Sequence, residues 1–187
     1  LYGPMLSEKY ANDFIRDLQL CEKSGARKLW GNGRITSNNK PKNFLGDPEQ
    51  GVYMWPHVYA DVTEEMECFH EEIFGPVMSM VRSESMVEAL DMINNHEYGN
   101  GTAIFTSDGG VARKFANECQ IGMVGVNVPI PVPVAYHSFG GWKRSAFGGH
   151  GVYGMEAVRF YTKLKTVTGR WPSGNYTGAQ YTFPSNS

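Results

Sequence analysis

Between residues 76 and 127, short apolar runs alternate with two amphipathic segments, each opened by a residue type that caps helices. Residues 76–82 make an apolar run short enough for a strand. Ser85 then opens a segment that reaches about Asn95, with Val87, Leu90, Met92 and Ile93 on its apolar side and Asn94-Asn95 closing it. Residues 102–106 form a second compact strand. Asp108 caps a second helix with Val111, Phe115 and Ala116 turned inward, and residues 122–127 give a third strand. Strand, helix, strand, helix, strand with short links requires right-handed crossovers, because only that hand returns a helix onto a twisted sheet. The predicted fold class is therefore α/β, a mostly parallel sheet with flanking helices.

The flanks are less regular. Ser7 and Glu8 open a helix whose apolar face is Tyr10, Phe14, Leu18 and Cys21, and Gly25 stops it. Residues 27–30 read as a short strand closed by Gly31-Asn32-Gly33, and residues 35–50 as a polar loop. Residues 51–60 should be extended, with Pro56 placing them at an edge or a bend. Pro129, Pro131 and Pro133 make residues 128–136 a stiff extended loop that cannot donate a ladder of hydrogen bonds. Residues 139–151 are rich in glycine, residues 153–161 suggest a short helix, and residues 163–168 alternate like a strand. Residues 172–187 read as a polar tail.

Several function classes are disfavoured by composition. A net charge of -2 gives no basic excess to neutralise phosphates, so nucleic acid is not an expected partner. No apolar run is long enough to span a bilayer, and no secretory signal is visible. Three cysteines at unrelated spacings suit a reducing compartment better than a disulfide framework, and the expected location is the cytoplasm or the mitochondrial matrix. The five histidines do not cluster at ligand spacing, and no metal is expected.

Four segments carry a family resemblance. Residues 71–77 read E-E-I-F-G-P-V, residues 95–105 read N-H-E-Y-G-N-G-T-A-I-F, residues 124–127 read V-G-V-N, and residues 138–145 read S-F-G-G-W-K-R-S. In this order they resemble the aldehyde dehydrogenase superfamily. The alternating Val/Ile-Pro run of residues 128–133, with R-F-Y-T at 159–162 and L-K-T-V-T at 164–168, resembles the methylmalonate-semialdehyde branch. The resemblance spans about Gly3 to Trp171. It implies that residues 1–150 are the C-terminal part of the catalytic domain, and residues 151–171 a helix and an oligomerisation strand. The parent would be a homo-oligomer, a dimer or tetramer, that oxidises a small aldehyde with NAD. Coenzyme A would receive the acyl group.

The same resemblance assigns residues. Glu72 would accept hydrogen bonds from the hydroxyls of the nicotinamide ribose, and Phe74 would pack beside it, because the ring must be held close to the substrate carbon while hydride moves. Phe139 would line the aldehyde pocket, with Tyr136 and His137 beside it. Lys143 and Arg144 are read as structural or interfacial. Asn127 is read as the end of a buried strand, its amide satisfying loop groups. No catalytic residue is expected here: the family attacks the aldehyde with a cysteine that follows a glycine-rich strand end, and Cys21, Cys68 and Cys119 lack that setting. The nucleophile and the dinucleotide fold are expected upstream of Leu1, and the chain alone is expected to be inactive. The competing expectation is a non-catalytic truncated relative serving as an oligomerisation or interaction module.

Overall fold

A computed structural model describes residues 3–169. The chain is α/β, and its core lies in two clusters. In the first, the long helix α1 (Glu8–Lys23) covers a three-stranded sheet of β1 (Arg27–Trp30), β2 (His57–Ala60) and β3 (Val77–Ser79). Strand β2 is central, antiparallel to β1 and parallel to β3. Pro56 lies just before β2, so its missing N–H costs the ladder nothing. Ala11, Phe14, Leu18 and Cys21 of α1 are buried at the expected spacing against Met54, Tyr59 and Val62. Tyr10, expected on that face, is exposed. Ser7 holds the cap position in extended backbone, but its hydroxyl makes no capping bond.

In the second cluster, Leu90, Phe115, Cys119 and Ile121 pack together. They are carried by α3 (Met86–Asn95), α4 (Gly109–Glu118) and the loop that follows α4, beside the parallel pair β5 (Gly101–Ile104) and β6 (Met123–Val126). Both helix caps are as read from the sequence: the Ser85 hydroxyl accepts from the Glu88 amide, and the Asp108 carboxylate accepts from the Gly110 and Val111 amides. Val87 and Ala116 face solvent, and Ala112 takes the inward place beside Phe115. Strand β3 belongs to the first sheet and β5–β6 to a separate pair, so the parallel arrangement falls in two pieces.

Two short elements complete the arrangement. A two-residue antiparallel ribbon pairs β4 (Tyr98–Gly99) with β7 (Trp142–Lys143), and a four-residue helix α2 (Glu67–His70) leads from the first sheet toward it. After β6 the proline run leaves Val128, Ile130, Val132, Val134 and Tyr136 exposed at alternate positions. The last helix is α5 (Glu156–Tyr161). Residues 163–168, read as a strand, form no ladder with any described residue, since a strand exists only where a neighbouring edge accepts and donates its bonds. Leu164 is 98% exposed and Val167 80%. The tail from 172 onward lies outside the described residues.

Candidate functional site

The E-E-x-F-G-P segment is the turn between α2 and β3, and its shape follows from packing. A Cβ on Gly75 would sit 2.4 Å from the Phe14 ring, so only glycine lets this backbone lie against α1. The Gly75 amide donates to the Ile73 carbonyl at 2.9 Å, the Val77 amide to the Gly75 carbonyl at 2.8 Å, and the His57 amide to the Pro76 carbonyl at 2.8 Å. Two consecutive one-residue turns thus alternate the side chains. Ile73 packs into the first core, and Phe74 is left 75% exposed.

Glu72 is exposed and makes no hydrogen bond or ion pair among the described residues. It stands between two clefts. One, of about 280 Å³, is walled by Arg16, Asp17 and Glu67. The other, of about 480 Å³, is walled by Phe69, His70, His96, Tyr98 and Arg144. Arg144 is engaged: it pairs with Glu97 and lies 5.6 Å from the centre of the Tyr98 ring.

Phe139, Tyr136 and His137 line neither cleft. Phe139 stacks on Tyr153, ring centres 4.7 Å apart and planes 4° from parallel. Tyr136 and His137 are exposed and touch each other, centres 4.5 Å apart. A Cβ on Gly154, itself at φ +61°, would meet the 136–138 backbone within 2.8 Å, so this turn is seated on the loop before α5. The described residues therefore bring Glu72 and Phe74 together on one turn, and Phe139, Tyr136 and His137 together on another.

The remaining motif residues are structural. The Lys143 ammonium donates to the carbonyls of Ile93 at 3.0 Å, Asn94 at 2.8 Å and His96 at 3.0 Å, closing the C-terminus of α3. Ser145 Oγ accepts from the Gly99 amide at 3.0 Å. Asn127, at φ +58°, accepts from the Thr106 amide at 2.9 Å and donates to the Thr106 carbonyl at 3.0 Å, as its amide chemistry suggested. All three cysteines are free and buried. Burial and a hydrogen bond with Cys68 push the Cys21 thiol up to about 12, and burial raises Cys119. None has the electropositive, open setting of a thiolate nucleophile. Among the described residues no group of three or more His, Cys, Asp or Glu could hold a metal ion, and no helix is long and apolar enough to cross a membrane. Sequence reasoning passed over His96, which bridges helix α2 to β4. Its only signal was a histidine inside the N-H-E-Y-G segment.

A two-cored α/β chain that pins an E-E-x-F-G-P turn beside an S-F-G-G-x-K-x-S ribbon belongs to the aldehyde dehydrogenase family, whose family model matches residues 1–167. Within that family the chain is 56% identical over 138 residues to the malonate-semialdehyde dehydrogenase of Pseudomonas aeruginosa, an alignment covering 73% of this chain and 28% of that protein. Its fold superposes on the crystal structure of methylmalonate-semialdehyde dehydrogenase from Oceanimonas doudoroffii with a TM-score of 0.81 and 48% identity, covering 92% of this chain and 34% of that one. A Mycobacterium tuberculosis aldehyde dehydrogenase complexed with NAD+ gives a TM-score of 0.72 at 27% identity, covering 86% of this chain and 30% of that one. The chain thus spans about a third of the length of the proteins it matches.

Proposed function

We propose that the complete protein is an NAD-dependent, coenzyme A-acylating aldehyde dehydrogenase that acts on methylmalonate or malonate semialdehyde, and that this chain supplies one wall of its cofactor site. The observation that carries the reading is the unengaged Glu72 carboxylate, held at the mouth of a cleft on a turn that Gly75 locks against α1. A ribose diol presents hydroxyl donors, and a carboxylate with no ion pair offers acceptors for both, so the residues present fit the group. Bound NAD supplies the hydride acceptor. Glu72 fixes the ribose, exposed Phe74 lays an apolar face beside it, and the turn that carries Phe139, Tyr136 and His137 supplies part of the aldehyde side. The attacking thiolate and the dinucleotide fold come from residues outside this chain, in keeping with three cysteines that are all buried.

In the same reading residues 1–150 are part of the catalytic domain. Residues 151–171 end in a segment whose exposed Leu164 and Val167 extend a partner subunit's sheet in a homo-oligomer. The aldehyde and coenzyme A are the other small-molecule partners, and the cytoplasm or the mitochondrial matrix is the compartment.

The test is Glu72→Gln in the complete protein. Losing one charged acceptor from two ribose hydrogen bonds raises KM for NAD about tenfold while leaving thermal stability unchanged, because the side chain is exposed and unpaired. An unchanged KM for NAD overturns the assignment.

A further inference from the structure

On its N-terminal side the turn carrying Glu72 leaves helix α2, which sets Cys68 into the first core with Phe69 packed against it. Helix α2 has only four residues and no side-chain cap. Among the described residues one hydrogen bond links residues 67–75 to residues 86–100, and His96 makes it. His96 Nε2 lies 3.2 Å from the Phe69 carbonyl oxygen, three residues before Glu72. Its Nδ1 lies 3.1 Å from the Tyr98 amide nitrogen. A backbone N–H only donates and a carbonyl only accepts, so Nδ1 is the bare nitrogen and Nε2 carries the proton. Both ring nitrogens are thereby committed, and the ring is oriented by contacts on several sides. Phe69 meets it edge-on at 5.4 Å and 69°, His70 stacks at 6.5 Å and 15°, and Tyr98 tilts at 5.9 Å and 41°.

The Tyr98 end is firm, since Tyr98 pairs with Lys143 in the β4–β7 ribbon and Lys143 also holds the His96 carbonyl. At the Phe69 end the ring adds the bond toward β4 to a helix otherwise held by Cys68 in the first core and by the His70 ring on the Glu64 carbonyl.

We propose that His96 is a positioning residue for the cofactor site: through its Nε2–H it holds the exit of α2, and with it Glu72, at the cleft the two residues share. This rests on the reading of Glu72 as the ribose acceptor. Two substitutions separate the two ring bonds. In His96→Gln the terminal amide reaches about as far as Nε2 and still donates to Phe69, while the Tyr98 bond is lost. In His96→Asn the side-chain oxygen replaces Nδ1 as acceptor for Tyr98, but no donor reaches Phe69.

In the complete protein, NAD affinity is measured by calorimetry, KM and kcat by NADH formation, and amide hydrogen exchange across residues 67–75. His96→Asn is expected to weaken NAD binding and raise KM for NAD about 3- to 10-fold, the effect of one lost hydrogen bond, with KM for the semialdehyde unchanged. It also speeds exchange at residues 67–75. His96→Gln is expected to restore NAD affinity to within about twofold, whatever its melting temperature. The inference is overturned if both variants bind NAD like the parent, or if both lose affinity in proportion to their loss of stability. Glu72→Gln run alongside tells two failures apart. Weakened binding there with normal binding in His96→Asn removes the His96 role alone, whereas normal binding in Glu72→Gln removes the cofactor reading and the inference with it.

Discussion

Replacing Lys143 by Met keeps the length and apolar stem of the side chain and removes only its three donors. The structure lets the cost be worked out. The last turn of α3 has no basic residue of its own, and a single backbone bond, from the His96 amide to the Met92 carbonyl, closes it. The ammonium is half-buried and reaches three carbonyls at 2.8 to 3.0 Å. A hydrogen bond to a charged group is worth about 1.5–3 kcal/mol, but three bonds sharing one ammonium do not add fully, and ordering a lysine costs about 2 kcal/mol of rotamer freedom. A favourable charge at the helix C-terminus contributes roughly 0.5–1 kcal/mol more. The net loss expected for Lys143→Met is about 3 kcal/mol, close to a 150-fold change in the folding equilibrium. In a protein about three times this chain's length, as its relatives are, that lowers the unfolding midpoint by roughly 2–4 °C, because the unfolding entropy grows with size. Lys143→Arg should recover only part, because a planar guanidinium cannot converge on three carbonyls as a tripod does. Calorimetric unfolding of the complete protein checks the midpoint, and amide exchange over the last turn of α3 locates the damage. A Lys143→Met midpoint within 1 °C of the parent, or an arginine variant as stable as lysine, refutes the argument.

Gly75→Ala should destabilise by about 1–3 kcal/mol and weaken NAD binding as well, because the added methyl lands 2.4 Å from the Phe14 ring and must push the Glu72 turn outward; thermal unfolding and an NAD titration read the two effects. His57 is 2% exposed, its Nε2 accepting from the Gly33 amide at 3.2 Å and its Nδ1 donating to the Trp55 carbonyl at 2.8 Å, and burial lowers its affinity for a second proton. The unfolded chain then takes up that proton first, so stability is full above about pH 6.5 and falls as pH drops toward the folded value, by at most about 1.4 kcal/mol per pH unit for this group. Urea unfolding between pH 7.5 and 5 should show the decline, and His57→Asn should be less stable at pH 7.5 with a shallower slope. With burial and Cys68 pushing the Cys21 thiol up to about 12, native Cys21 should resist iodoacetamide at pH 8 for hours and react on adding denaturant, which peptide mapping by mass spectrometry resolves.

What could be read in advance was what depends on neighbours in the chain. The caps Ser85 and Asp108 act within three residues, so their chemistry is written locally, and both were found bonded as expected. The spacing of Phe14, Leu18 and Cys21 gave the buried face of α1, yet Tyr10 faces out, because periodicity fixes an angle and not what covers the first turn. The β4–β7 ribbon was not legible: two residues against two, within glycine-rich segments, carry no alternation. Nor could spacing reveal that Lys143 spans about fifty positions to cap α3, although the resemblance had set it apart from the substrate. At the candidate site, Glu72 and Phe74 were recognisable as a motif, but the contact of His96 with the Phe69 carbonyl joins positions 27 apart in sequence.

The proline-ribbed stretch after β6 carries a consequence for the chain's behaviour in company. An exposed apolar strip in extended form invites foreign strands to add along it, and sticky edges of this kind seed precipitation. Here Pro129, Pro131 and Pro133 alternate with the exposed side chains, and because their nitrogens carry no hydrogen, one edge of the run offers an intruder no donors. Side-chain packing can cover the strip, while backbone pairing is confined to the opposite edge, where Ile130 and Val132 keep their N–H groups.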